Sequence, residues 1–117
     1  MDLIALLGSG KGTWAQVAGV VKQGDWEKII LLGNDFAKDF KIEGKEFEFI
    51  KIDTNKRLVD LKKEFLEKLK SKIDDTEVAL SIASGEGKEH MALISALLSI
   101  PTGIRFTALT RDGVVFL

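Results

Sequence analysis

Three short runs in this chain, Leu3 to Leu7, Ile29 to Leu32 and Val78 to Ala83, are apolar almost throughout, and a fourth is marked by Phe47, Phe49, Ile50 and Ile52. A strand with water on one face alternates polar and apolar residues. A strand with no such alternation has both faces covered, which is the environment of a parallel sheet between helical layers. Between the runs lie segments with helical periodicity. Trp14, Val17, Ala18 and Val21 form one stripe, stopped at Gly24, and Leu58, Leu61, Phe65, Leu66 and Leu69 form a second within Lys56 to Lys72. Met91 to Leu98 is the apolar part of a third helix, and Thr54 or Asn55 is placed to cap the second. Asp35 to Gly44 reads as one helical turn followed by a loop. After Pro101-Thr102-Gly103, the runs Ile104 to Leu109 and Val114 to Leu117 flank Thr110-Arg111-Asp112-Gly113, a tight-turn signal for a hairpin.

The order β-α-β-loop-β-α-β-α-β-β predicts a three-layer α/β sandwich, Rossmann-like, with a mostly parallel sheet and a C-terminal antiparallel hairpin. Right-handed crossovers and the strand order 3-2-1-4-5 put strands one and four side by side. A ligand crevice is expected at the carboxyl ends of those two strands, where the chain order reverses.

Both strands run into turns of similar chemistry. The first is Gly8-Ser9-Gly10-Lys11-Gly12-Thr13 and the second is Ser84-Gly85-Glu86-Gly87-Lys88. Each offers small residues, backbone N–H groups and a lysine where a helix begins, a combination suited to anions. Two such turns at one sheet edge would converge on a single phosphate-bearing ligand. The first is not a nucleotide-kinase phosphate loop. The form G-x-x-x-x-G-K-[ST] needs an earlier glycine that is missing here, and Gly12 follows the lysine. A nucleotide-binding protein with a degenerate phosphate loop is the remaining reading of that turn.

At 117 residues the chain is read as one domain, residues 1–117, long enough for a core without disulfides or metal. It has no cysteine and one histidine, His90, so thiolate catalysis and a cysteine-based zinc site are excluded. No apolar run is long enough to span a bilayer and no signal peptide is visible, so a cytoplasmic protein without membrane association is expected. A formal net charge of -1 argues against nonspecific binding to a DNA duplex. No metal or cofactor is expected. His90 is the only side chain that titrates near neutrality and reads either as a proton donor or as a capping or surface group. Trp14 reads as a stacking surface or as core.

The run Val78 to Leu93, with Ser84-Gly85-Glu86-Gly87-Lys88-Glu89-His90-Met91 inside it, followed by Gly103-Ile104-Arg105-Phe106-Thr107, resembles the signature of CRISPR-associated Rossmann-fold (CARF) domains. In that family an apolar strand enters a Ser/Thr-Gly-Gly-Thr-Lys-like turn, then a helix, then a strand led by glycine. Glu86 stands where a second glycine is common. Ile50-Lys51-Ile52-Asp53-Thr54 and the helix after it also resemble the family's third strand. The resemblance implies a homodimeric receptor for cyclic oligoadenylates, the second messengers of type III CRISPR defence. It looks like a stand-alone CARF domain, and some such members resemble ring nucleases, which open the messenger without metal to leave a 2′,3′-cyclic phosphate. Carried over by position, Ser9 would orient the ribose 2′-hydroxyl or bind phosphate, and Lys88 would neutralise the charge developing on phosphorus. His90 would protonate the leaving oxygen. Gly8, Gly10, Gly85 and Gly87 would bring backbone amides to the ligand, with Lys11, Thr13 and Ser84 as further contacts. The alternative is a non-catalytic sensor or messenger-sequestering module using the same residues.

Overall fold

A computed structural model describes all residues, 1–117, and contains a six-stranded sheet in the order β3-β2-β1-β4-β5-β6. The strands are β1 (Asp2–Leu7), β2 (Ile29–Gly33), β3 (Glu48–Lys51), β4 (Glu77–Ser81), β5 (Gly103–Thr110) and β6 (Gly113–Phe116). All neighbours are parallel except β5 and β6. The helices are α1 (Trp14–Gln23), α2 (Leu58–Leu69) and α3 (Gly87–Leu98). The expected sandwich, strand order and terminal hairpin are therefore present. No helix is long and apolar enough to cross a membrane.

The apolar runs are explained by their two covers. Every residue of β1 is buried. Ile4 and Leu6 join a cluster with Leu61, Phe65 and Leu69 of α2 and Leu93 and Leu97 of α3. Leu3, Ala5 and Leu7 join the opposite cluster with Val17, Val20 and Val21 of α1. Side chains alternate across a strand, so one run of apolar residues feeds both layers. The edge strand β3 has one buried position, Ile50, and its exposed Glu48 and Lys51 form ion pairs with Lys72 and Asp35.

Some local boundaries differ from expectation. Helix α2 starts at Leu58 after Arg57, and neither Thr54 nor Asn55 caps it. Thr54 instead accepts a hydrogen bond from Asn34 at 3.4 Å, and the Asn55 N–H donates to Asp53 at 3.1 Å in a turn ahead of the helix. These polar residues bind one another across loops because β3 ends beside β2. Glu64 of α2 holds that end of β3, accepting the Asp53 N–H at 3.2 Å and pairing with both Lys56 and Lys68. The segment after β2 makes a single three-ten turn, Asp35–Ala37, capped by Asn34. Gly113 closes the hairpin at φ +100°, with Arg111 and Asp112 as its two-residue loop.

The amino end of the sheet carries an acidic trio, Asp2, Glu27 and Asp75, whose carboxylate oxygens lie within 4.8 Å of one another. The sequence alone gives no hint of this cluster, whose members come from three separate segments. Burial, then the charge of Asp75, pushes the Asp2 carboxyl above the ordinary range, against the pull of Lys28 at 3.7 Å. The folded state therefore holds the Asp2 proton more tightly than the unfolded chain does. The stability Asp2 contributes is complete in acid and is lost as pH rises through its raised pKa. Glu64 has the opposite sign. Burial pushes its carboxyl up, but hydrogen bonds from Lys68, Lys56 and the Asp53 amide outweigh that and hold it low. Its contribution is present at neutral pH and is lost as pH falls. Asp2→Asn is expected to raise Tm at neutral pH, with little effect well below the carboxylate range. Glu64→Gln is expected to lower Tm at neutral pH, with the loss fading in acid; thermal melts across pH check both.

Candidate functional site

Strands β1 and β4 are hydrogen-bonded neighbours in parallel register, from Asp2 opposite Val78 to Ala5 opposite Ser81. Their carboxyl ends therefore emerge together, and the two glycine-rich turns meet. The contact is between backbones. A Cβ on Gly8 would lie 2.6 Å from the Gly85 nitrogen and 2.8 Å from its Cα, so no side chain fits there. Gly85 has φ +100°, a conformation that side chains rarely adopt.

Ser84 fastens the junction. It is fully buried, and its Oγ accepts the Gly8 N–H at 2.7 Å and lies 2.7 Å from the Thr13 hydroxyl. The Trp14 indole N–H donates to the Gly8 carbonyl at 2.8 Å, and His90 Nε2 donates to the Ser84 carbonyl at 2.9 Å. Each turn is thus held both by the other turn and by the helix that follows it.

Above the junction lies a crevice of about 550 Å³ lined by 12 residues, none of them hydrophobic. Gly8, Ser9, Gly10, Thr13, Gly85 and Lys88 line it, as the sequence suggests. The N–H groups of Ser9, Gly10 and Gly85 make no hydrogen bond within the chain. Ser84 lies beneath the crevice as its support, and Gly87 opens α3 without lining it. Three residues take other positions. The ammonium of Lys11 sits 5.8 Å from the centre of the Trp14 ring and 5.5 Å from that of Phe36, and Lys11 does not line the crevice. His90 is half-buried and directed to the Ser84 carbonyl, so its ring supports the turn rather than facing the crevice. Trp14 packs edge-on against Phe36 and Phe40 and sits at the rim of the α1-side core, which removes it as an open stacking surface.

The amides of the second turn are not all free, a departure from the simple picture of an anion-binding helix start. Glu89, 7% exposed, accepts the Glu86 N–H at 2.8 Å and closes one arm of a capping box. Glu86 and Glu89 both line the crevice, so carboxylate oxygens share it with the Lys88 ammonium. Lys88 itself donates to the Lys56 carbonyl at 2.9 Å, tying the start of α3 to the segment before α2.

The crevice also includes Asn34, Thr54 and Asn55, from the ends of β2 and β3, which the sequence reading did not assign to the site. Asn34 is its hub. Its side-chain amide donates to Ser9 Oγ at 3.0 Å and to Thr54 at 3.4 Å, while its carbonyl oxygen accepts the Phe36 N–H at 3.0 Å. The available signal was position. Gly33-Asn34-Asp35 and Asp53-Thr54-Asn55 follow parallel strands at the same sheet edge as the two glycine-rich turns.

No protein-family model matches the chain, and no curated protein matches it in sequence.

Because Gly8 meets backbone rather than a movable side chain, Gly8→Ala is expected to cost about 1–3 kcal/mol and to separate the two turns. Gly10→Ala meets nothing within 4 Å and is expected to fold as the wild type does. Denaturant melts of the two variants check the contrast.

Proposed function

We propose that the chain is a CARF-like domain that binds a cyclic oligoadenylate between two copies of this crevice, with metal-independent opening of the ring as its activity. The observation that carries the reading is the convergence of both glycine-rich turns on one wholly polar crevice, with unpaired amides and Lys88 at its edge. A ligand with two-fold symmetry suits a two-fold dimer. Exposed apolar side chains support that assembly. Val59 is 64% and Met91 59% exposed; Val59 lies in the first turn of α2, three residues after Lys56, and Met91 lies one turn along α3 from Lys88, whose ammonium donates to the Lys56 carbonyl beside the crevice.

In the cleavage reading, a ribose 2′-hydroxyl gives its proton to water as its oxygen attacks the adjacent phosphorus, the bond to the 5′-oxygen breaks, and a 2′,3′-cyclic phosphate forms. Ser9 Oγ accepts a hydrogen bond from Asn34, which leaves its own hydroxyl proton to donate to phosphate or orient the 2′-hydroxyl. Lys88 and the amides of Ser9 and Gly10 stabilise charge on the phosphoryl oxygens. The departing 5′-oxygen takes its proton from water, since His90 is engaged on the Ser84 carbonyl. Most of the acceleration is then positional. The engagement of His90 and of Lys88 with backbone carbonyls favours a second reading, a sensor that binds the ring and leaves it intact.

Incubation of the pure protein with cyclic tetra-adenylate in EDTA separates the two readings. Linear products ending in 2′,3′-cyclic phosphate identify the nuclease, and tight binding to an intact ring identifies the sensor. Absence of binding ends the family assignment. Lys88→Ala is expected to weaken binding at least about tenfold, a loss that shrinks at high salt as the attraction is screened. Lys22→Ala, at the other end of α1, is expected to leave binding unchanged. Light scattering with ligand should report a dimer.

A further inference from the structure

The crevice holds less positive charge than its two turns suggest. Of the lysines in those turns only Lys88 lines it, because the Lys11 ammonium lies over the Trp14 and Phe36 rings. Two acidic residues, Glu86 and Glu89, share the same walls, and the remaining lining residues are neutral. A site for a phosphate dianion gathers cations around it. This crevice sets one ammonium against two carboxylates.

Neither carboxylate is free to swing away. Glu86 caps α3 and its side chain accepts the Glu89 N–H, while Glu89 Oε1 accepts the Glu86 N–H at 2.8 Å. Glu89 is buried, and its Oε1 lies against the second turn, 3.1 Å from where a Cβ on Gly85 would stand. The box therefore withdraws two amides at the start of α3 from any ligand and fixes two negative charges beside the turn. Water screens a buried charge poorly, so the Glu89 carboxylate acts on the crevice more strongly than an exposed one would.

We infer, on the reading of the crevice as a phosphate site, that Glu86 and Glu89 select the charge state of the phosphate it accepts: the monoanion of a phosphodiester enters and the dianion of a phosphomonoester is turned away. A diester presents its oxygens to Lys88 and to the unpaired amides of Ser9 and Gly10 with a single charge, which Lys88 balances. A phosphomonoester, with a second pKa of about 6, brings a further negative charge at neutral pH. No second cation lines the crevice to meet it.

The test is calorimetric titration of the full chain with AMP and with its methyl ester, which differ by one ionisable oxygen. At about pH 8 the ester is expected to bind at least about threefold tighter than AMP, the reverse of a site built from cations. Glu86→Gln and Glu89→Gln each keep an acceptor for the other residue's amide, and each is expected to tighten AMP at least about threefold while moving the ester less. Loss of fold cannot produce a tightening. At about pH 5 the AMP phosphate takes up its second proton and the gap should close. His90, whose Nε2 lies 3.2 Å from a Cβ on Gly85, and the two glutamates also face the turn, with Lys88 and Lys56 beside them; their titration acts on both ligands, and the ester measures it. AMP bound as tightly as the ester at about pH 8, a contrast unchanged in both Gln variants, or failure of the ester to bind overturns the inference. Cyclic tetra-adenylate keeps the two claims apart. If the ring fails to bind while the contrast depends on Glu86 and Glu89, the charge selection stands and the ring reading falls; if the ring binds while AMP matches the ester, the selection falls and the ring reading stands.

Discussion

The backbone contact between Gly8 and Gly85 is the constraint around which the crevice at the carboxyl end of the sheet is arranged. Two adjacent parallel strands deliver two turns to the same place, and the turns can meet only because Gly8 has no side chain, while Gly85 takes a φ of +100° that side chains rarely adopt. Ser84 makes the contact specific. Its buried hydroxyl would be costly without partners, and it has two, the Gly8 amide and the Thr13 hydroxyl. Each such bond is worth about 1 kcal/mol net, but the penalty for leaving the group unpaired is larger, so the bonds fix geometry more than they add stability.

Support for the crevice is distributed over all four parallel strand ends that border it. Asn34 connects the first turn to the segment after β3, and Lys88 connects the second turn to the segment before α2. Side chains with the chemistry of catalysis are partly committed to this scaffold. His90 and Trp14 each give their ring N–H to a turn carbonyl. Lining the crevice are a set of amides, the Ser9 hydroxyl, Lys88, which also donates to the Lys56 carbonyl, and Glu86 and Glu89, the latter committed to the capping box. The crevice therefore presents acceptors as well as donors.

The opposite end of the sheet is built on different terms. Asp2, Glu27 and Asp75 gather where no glycine-rich turn is present, and the burial of Asp2 sets a stability cost at neutral pH. Glu64, at the carboxyl end of β3, works in the reverse sense, because two lysines and a backbone amide more than offset its desolvation. The two carboxylates thus act with opposite signs as pH falls.

The fold was legible because its signals are local. Unbroken apolar runs announce strands covered on both faces, and the stripe from Leu58 to Leu69 announces a helix with one face on the core. Order along the chain and the handedness of crossovers then bring Gly8 and Gly85 together without knowledge of a single side-chain contact. The places of Asn34 and Glu89 at the crevice were not legible, and neither was the diversion of Lys11 and His90 away from it. Those depend on which groups within a few ångströms compete for the same hydrogen bond or ring face, and partners such as Ser9 and Asn34 lie 25 positions apart. Hydrophobic periodicity encodes the layers in the sequence itself. The direction in which a short polar side chain points is decided only when strand packing has brought distant loops within hydrogen-bonding distance.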